Sequence, residues 1–349
     1  MKHLHSTWLI HCEVIKELKL PAKGTPKIKW ALLDIRHLVT AISFGLFLFF
    51  LSVPASAQQS GGNQGTPVQM VVSLETKHGR DLPIITQQDV MVYQGHDRRP
   101  VTGWVPAKGD KAALELAILV DDGAGFSLGS QLNDIRTFIR EQAPTTLVAV
   151  GYMRNGTVFM VQEFTHDHEA AAKSIRLAQG FYGEGGSPFL SLSDFIKRWH
   201  SNSATTRREV LMITSGIDNV YTGTIGNPYV DAAIENAQCG GVVVYSIYTP
   251  SAGHFGHSYF RINWGQNYLS ELSEETGGES YYLMGPQAPV SFLPYLKKLS
   301  AQLPNQFLLT FLAKPEKKAG PQAVNVTTEV HDVDFVHTDK VCVPASPGE

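Results

Sequence analysis

Leu114 to Gly125 reads LELAILVDDGAG, an apolar run that stops abruptly in two aspartates and a glycine turn. Leu114, Leu116, Ile118, Leu119 and Val120 place apolar groups on both sides of an extended chain. That is the pattern of a strand buried on both faces, as in a parallel sheet covered by helices. Leu128, Leu132, Ile135, Phe138 and Ile139 then fall on one face of a helix. A carboxylate at the carboxyl end of such a strand points into the crevice where open α/β sheets bind ligands. Asp121 and Asp122 are therefore where function is sought first.

Outward from this point the strand–helix rhythm continues. Thr146–Gly151 and Thr157–Phe164 read as a hairpin across Arg154-Asn155-Gly156, an antiparallel edge to the sheet. Helices are expected over about 167–177 and 189–200, then a buried strand Glu209-Val-Leu-Met-Ile-Thr, a helix marked by Val230, Ala233, Ile234 and Ala237, and the strand Gly241–Tyr248. Tyr268–Thr276 reads as a helix stopped by Gly277-Gly278, followed by the short strand Ser280–Leu283. Val290–Leu303 is the last helix, and Gln306–Leu312 the expected last strand of the repeat. The whole of 113–314 is thus expected to be a doubly wound, mainly parallel α/β sheet. Residues 67–110, with strand candidates at Val68–Leu74, Val90–Tyr93 and Pro100–Val105, have antiparallel character, and so do 322–343. The two stretches are expected to pack together as a small flanking β unit.

Residues 1–57 stand apart. Leu38–Val53 is an apolar run of 16 residues behind a basic stretch, and it ends in Pro54-Ala55-Ser56-Ala57. Small residues at Ala55 and Ala57 fit signal-peptidase cleavage before Gln58, and the run is short beside the roughly 20 residues of a spanning helix. The chain is therefore expected to be exported, to the periplasm, cell envelope or medium, touching a membrane only if this leader is retained. Residues 58–66, rich in Gln and Gly, read as a tether. The leader carries seven Lys/Arg and three Asp/Glu, so a whole-chain charge of −3 becomes −7 without it. An acidic chain lacking a basic stripe gives nucleic acid nothing to bind. Beyond the leader the cysteines are Cys239 and Cys342, with no CxxC or Cys/His cluster for zinc. Export supplies the oxidant for a disulfide. Cys239 precedes a parallel strand and so lies at the amino-end face of the sheet, where both β flanks should gather with Cys342. The alternative is that Cys239 is a free thiol completing an apolar helix stripe.

Leu114–Asp122, Val90-Met-Val-Tyr-Gln-Gly, Phe164-Thr-His-Asp, Glu209–Asn219 (EVLMITSGIDN) and Leu272–Tyr282 (LSEETGGESYY) together resemble a von Willebrand factor type A domain. Their order and spacing match the exported bacterial "VWFA-related" kind, over about four fifths of the chain. The resemblance implies a Rossmann-like doubly wound fold and a protein-binding, adhesion-type role. It also implies a metal-ion-dependent adhesion site, built as Asp-x-Ser-x-Ser, a Thr in a later loop and a second Asp. Carried over position by position, Asp121 matches the first Asp. Gly123 and Gly125 stand for the two serines, Ser187 for the Thr, and Ser215 for the second Asp. Mg²⁺ needs hard oxygen ligands in near-octahedral geometry, and this set lacks two hydroxyls and a carboxylate. The expectation is a degenerate site with no cofactor, unless Asp122 or Asp218 completes the shell.

A competing enzyme reading rests on Gly125-Phe126-Ser127-Leu128-Gly129, a G-x-S-x-G between strand and helix. Asp218 with His254 or His257 would complete a serine-hydrolase order. Against it, Asp121-Asp-Gly-Ala separates the strand from the first glycine, no upstream segment offers an oxyanion hole, and Ser127 suits a helix cap. The loop Tyr245–Trp264, with Tyr248, Phe255, Tyr259, Phe260 and Trp264, and the stretch Gly180–Gly186 are aromatic and glycine-rich. That composition suits either a protein-binding surface, for a protein ligand of unknown identity, or a plain cap on the sheet.

Overall fold

The computed structural model describes residues 65–77, 82–180, 186–200, 203, 205–221, 226–251, 258–283 and 285–346. The leader, most of the tether, His254, His257 and Phe255 lie outside the described residues. β1 (Thr66–Thr76), β2 (Met91–Gln94), β3 (Asp97–Arg99) and β4 (Val101–Pro106) come first, so the first strand begins inside the expected tether. The α/β part runs β5 (Leu114–Asp121), α1 (Leu132–Arg140), β6 (Thr146–Arg154), β7 (Thr157–Thr165), α2 (His168–Ser174), α3 (Pro188–Arg198) and β8 (Arg207–Thr214). It continues through α4 (Pro228–Gly240), β9 (Val242–Tyr248), α5 (Tyr259–Glu275), β10 (Ser280–Tyr281) and α6 (Leu293–Gln302). β11 (Gln306–Ala313), β12 (Gly320–Thr327), β13 (Val333–His337) and β14 (Lys340–Val343) close the chain.

The central sheet has six strands in the order β10-β9-β8-β5-β6-β7, parallel except for β7. β5 is buried along seven of its eight residues, as its two-sided apolar run requires. Its alternate side chains feed two cores. Leu114, Leu116, Ile118 and Val120 pack with α1, α2 and α6 on one face, and Ala117 and Leu119 pack with α3, α4 and α5 on the other. The sheet is therefore doubly wound. Asn155 and Gly156 both have positive φ (53° and 73°), the backbone of the tight β6–β7 turn, where asparagine and glycine carry the smallest steric penalty.

β11 departs from expectation. It lies outside the parallel sheet and pairs antiparallel with β1, from Thr66↔Ala313 to Ser73↔Gln306, and with β4 on its other edge. The small antiparallel flank expected from the two chain ends is present and gains β11: two four-stranded antiparallel sheets, β13-β1-β11-β4 and β14-β12-β2-β3, share one apolar core as a sandwich. Val71 reaches out of the sandwich into the α1/α2/α6 core. α5 also starts nine residues earlier than its expected Tyr268. Cys239 at the end of α4 and Cys342 in β14 form a disulfide with Cα atoms 4.6 Å apart, tying the α/β part to the sandwich.

Candidate functional site

β5 and β8 are neighbours, but the chain leaves β5 for β6 on one side and reaches β8 from the other. Their carboxyl ends form the switch point at which open α/β sheets bind ligands. Asp121 sits here. Its Oδ2 accepts a hydrogen bond from the Thr214 hydroxyl (2.8 Å) across the switch point, and its Oδ1 accepts one from the Gly123 amide (2.9 Å). The protein packed around it pushes the carboxyl above its ordinary value. The two hydrogen bonds act in the opposite direction, and neighbouring Asp122 adds to the rise. Thr214 was not picked out from the sequence, where it reads as the last residue of a buried strand.

Asp122 points elsewhere, as adjacent strand-end residues do. It is buried, and its Oδ1 accepts from Arg176 Nη1 (2.9 Å) and from the Gln179 amide (2.8 Å). Arg154 lies 3.8 Å from its other oxygen. Arg176 also stacks over the Tyr152 ring, 3.7 Å from its centroid, and Tyr152 donates to the Arg176 carbonyl at 2.8 Å. The carboxylate is thus neutralised by the protein's own guanidinium groups and holds the 176–180 segment against the end of β5.

Ser187 and Asp218 are brought together. The Ser187 hydroxyl caps α3 by accepting from the Leu190 amide and donates to Asp218 Oδ2 at 2.6 Å. Asp218 also accepts from Asn227 Nδ2 (3.1 Å) and from the amides of Val220 (2.8 Å) and Tyr221 (2.9 Å). Ser215 is buried, its hydroxyl accepting from the Ile217 amide at 3.3 Å. Gly125 donates its amide to Pro250 O (2.8 Å), so the loop after β5 lies against the loop after β9. A Cβ at Gly125 would stand 3.2 Å from that carbonyl. The oxygen ligands a metal would need are therefore absent at Gly123 and Gly125, and those of Asp121, Ser187 and Asp218 are already engaged. Among the described residues no three His, Cys, Asp or Glu side chains gather as a metal site would require.

Ser127 is exposed in a 3-10 turn, Phe126–Gln131, whose cap position is Gly125. The expected capping role is thus not the one it plays, because the turn begins before it. Five residues separate Ser127 from the end of β5, so it does not stand on a strand-to-helix elbow, and the Asp218 oxygens are taken by other donors.

The rim is apolar. Phe126 (82% exposed), Leu177, Val220, Tyr259, Phe260 (73%) and Trp264 project from segments that follow β5, α2, β8 and β9. α5 is pressed onto the loop after β8 by two facing glycines. A Cβ on Gly265 would run into the Ser215 carbonyl, and one on Gly216, at φ 65°, into the Gly265 carbonyl. This contact sets where Tyr259, Phe260 and Trp264 emerge.

No protein-family model and no curated protein matches the chain. Similar solved structures include an aerotolerance-related membrane protein from Bacteroides fragilis NCTC 9343, with 14% identity, 55% of this chain and 98% of that one covered, and a TM-score of 0.38. The SpRpn10 VWA domain matches at 10% identity, covering 54% of this chain and 95% of its own, with a TM-score of 0.33. The pilus adhesin SpaC from Lactobacillus rhamnosus GG matches at 7% identity, with 66% and 43% covered and a TM-score of 0.40. One of these neighbours, SpRpn10, is a VWA domain, and all three are similar to this chain at low sequence identity.

Proposed function

We propose that the chain is an exported, non-enzymatic protein-binding module that engages its partner through the apolar rim of the β5/β8 crevice, without a metal ion. One observation carries the reading. Large apolar side chains ring the carboxyl end of the sheet, while every acid beneath them is held by an internal donor. Exposed aromatics above a polar, preorganised floor favour contact with another protein over chemistry on a small substrate. Export is supported by the apolar run Leu38–Val53 and by the Cys239–Cys342 bond, which persists in oxidising compartments.

A photo-crosslinking side chain placed at Phe260 and, separately, at Lys297 on the exposed side of α6 tests the surface. With the source organism's envelope fraction, discrete adducts are expected from position 260 alone, and Phe126→Ala should weaken them. Equal labelling from both positions would refute the rim. The purified chain alone should turn over neither ester nor peptide substrates. Hydrolysis abolished by Ser127→Ala would replace the binding reading with the hydrolase one.

A further inference from the structure

Five buried polar side chains from four strands meet in the seam between the parallel sheet and the sandwich. They are Arg207 and Glu209 of β8, Tyr245 of β9, Gln306 of β11 and Ser73 of β1. Arg207 donates to the Leu303 carbonyl (3.0 Å), the Ala112 carbonyl (3.2 Å), Glu209 Oε1 (3.4 Å) and Gln306 Oε1. Gln306 Nε2 donates to the Tyr245 hydroxyl (3.0 Å) and to Ser73 Oγ (3.3 Å). Ser73 and Gln306 are register partners in the β1–β11 pair, so the cluster fastens the sandwich to the α/β sheet. Glu209 Oε2 is fully buried and makes no hydrogen bond.

We propose that this cluster is a proton-operated joint, closed when Glu209 is protonated and loosened when it ionises. An ionised carboxylate with one bare oxygen in a dry seam is costly. Arg207 offsets that cost only in part: its Nη donors are shared with two carbonyls and Gln306, and its Nε is buried without a hydrogen-bond partner. The groups facing Glu209 are Arg207 on its own strand, Tyr245 from β9, and Gln306 and Ser73 from the sandwich; Arg207 is the charged one. Burial lifts the Glu209 carboxyl from 4.5 to about 7 against the opposing pull of Arg207 and Gln306, and burial also raises the Tyr245 hydroxyl, which stays protonated. The folded chain therefore keeps a proton that the unfolded chain has already lost. The stabilisation is complete below pH 4.5, falls as pH rises, and is gone above about 7.

The test compares the full disulfide-bonded chain with Glu209→Gln, which has no proton to lose, by urea unfolding from pH 5 to 8.5. The unfolding constant of the parent should rise against that of the variant by about tenfold per pH unit up to neutrality, then level off. Amide exchange in Val71–Leu74 and Gln306–Leu309, once corrected for base catalysis, should quicken from pH 5 to 7 in the parent alone and then level off. Parallel curves, or unchanged exchange in the seam, would overturn the joint. If the variant does not fold, glutamate side-chain ¹³C titration of the parent decides. One glutamate with a midpoint near 7 supports the proposal, and ordinary midpoints for all of them refute it.

Discussion

Removing Arg176 and removing Asp122 should have unequal consequences, although the two form one ion pair. Asp122 has 3% of its side chain exposed and Arg176 29%. Arg176→Met leaves a buried carboxylate with only Arg154, at 3.8 Å, as a cation. Asp122→Asn leaves a guanidinium that can turn to water. Stranding a buried charge costs more than freeing an exposed one, so about 2–3 kcal/mol is expected for the arginine variant and about 1 kcal/mol for the aspartate one, read from urea midpoints. Reversed order would mean that the Tyr152 contact, rather than charge, does the holding. Metal binding is settled at the same scale: Mg²⁺ or Mn²⁺ titrated calorimetrically into the chain should give no saturable heat, and saturable heat lost in Asp121→Ala would restore the metal site. The two aspartates were legible because they end an apolar run. Their partners were not. Arg176 and Thr214 lie 54 and 93 residues away from the acids they hold, and nothing local marks them.

Among the elements, α5 shows what periodicity misses. Its buried stripe contains Gly265, Gln266 and Ser273 beside Ile262, Leu269 and Leu272, so the amino-terminal half carries too little apolar signal to be read as a helix. Gly265 lies in that stripe because the helix backbone meets the β8 loop there. Two effects oppose each other in Gly265→Ala. Helix propensity gains up to about 1 kcal/mol, while forcing the helix off the Ser215 carbonyl costs about 1–3 kcal/mol. The clash is with backbone, which cannot swing aside, so a net loss of about 1–2 kcal/mol is expected in urea unfolding, with altered crosslinking from Phe260. A neutral or stabilising result would mean that α5 is not seated on the loop. β11 was legible as a strand and misplaced as a neighbour. Its buried positions Gln306, Leu309, Phe311 and Ala313 largely alternate with less buried ones, the one-sided pattern of an antiparallel sheet. Position after a helix suggested the parallel sheet instead, and alternation was the better guide.

For the whole molecule, the arrangement of two units on one sheet end followed from which segments alternate and which are apolar throughout. Chain topology put Cys239 and Cys342 at the same end of the sheet; that they stand within bonding distance depends on how the sandwich docks, which no local pattern records. The Cys239–Cys342 bond spans 103 residues. Cys239→Ser and Cys342→Ser should each destabilise by about 3–5 kcal/mol, with the double variant no worse than either alone. Additive losses would show that the thiols act separately. The same bond has a mechanical consequence. If the chain is pulled from its two ends, tension passes from Cys239 to Cys342 through sulfur, and the residues between them bear none. That hidden stretch would be roughly 360 Å long at full extension, taking about 3.5 Å per residue for its 103 residues. In a single-molecule stretching trace the oxidised chain should fall short of the reduced one by that length. β8 and the loop after it lie outside the shielded stretch and take the load, whereas β9, α5, α6, β11, β12 and β13 stay slack.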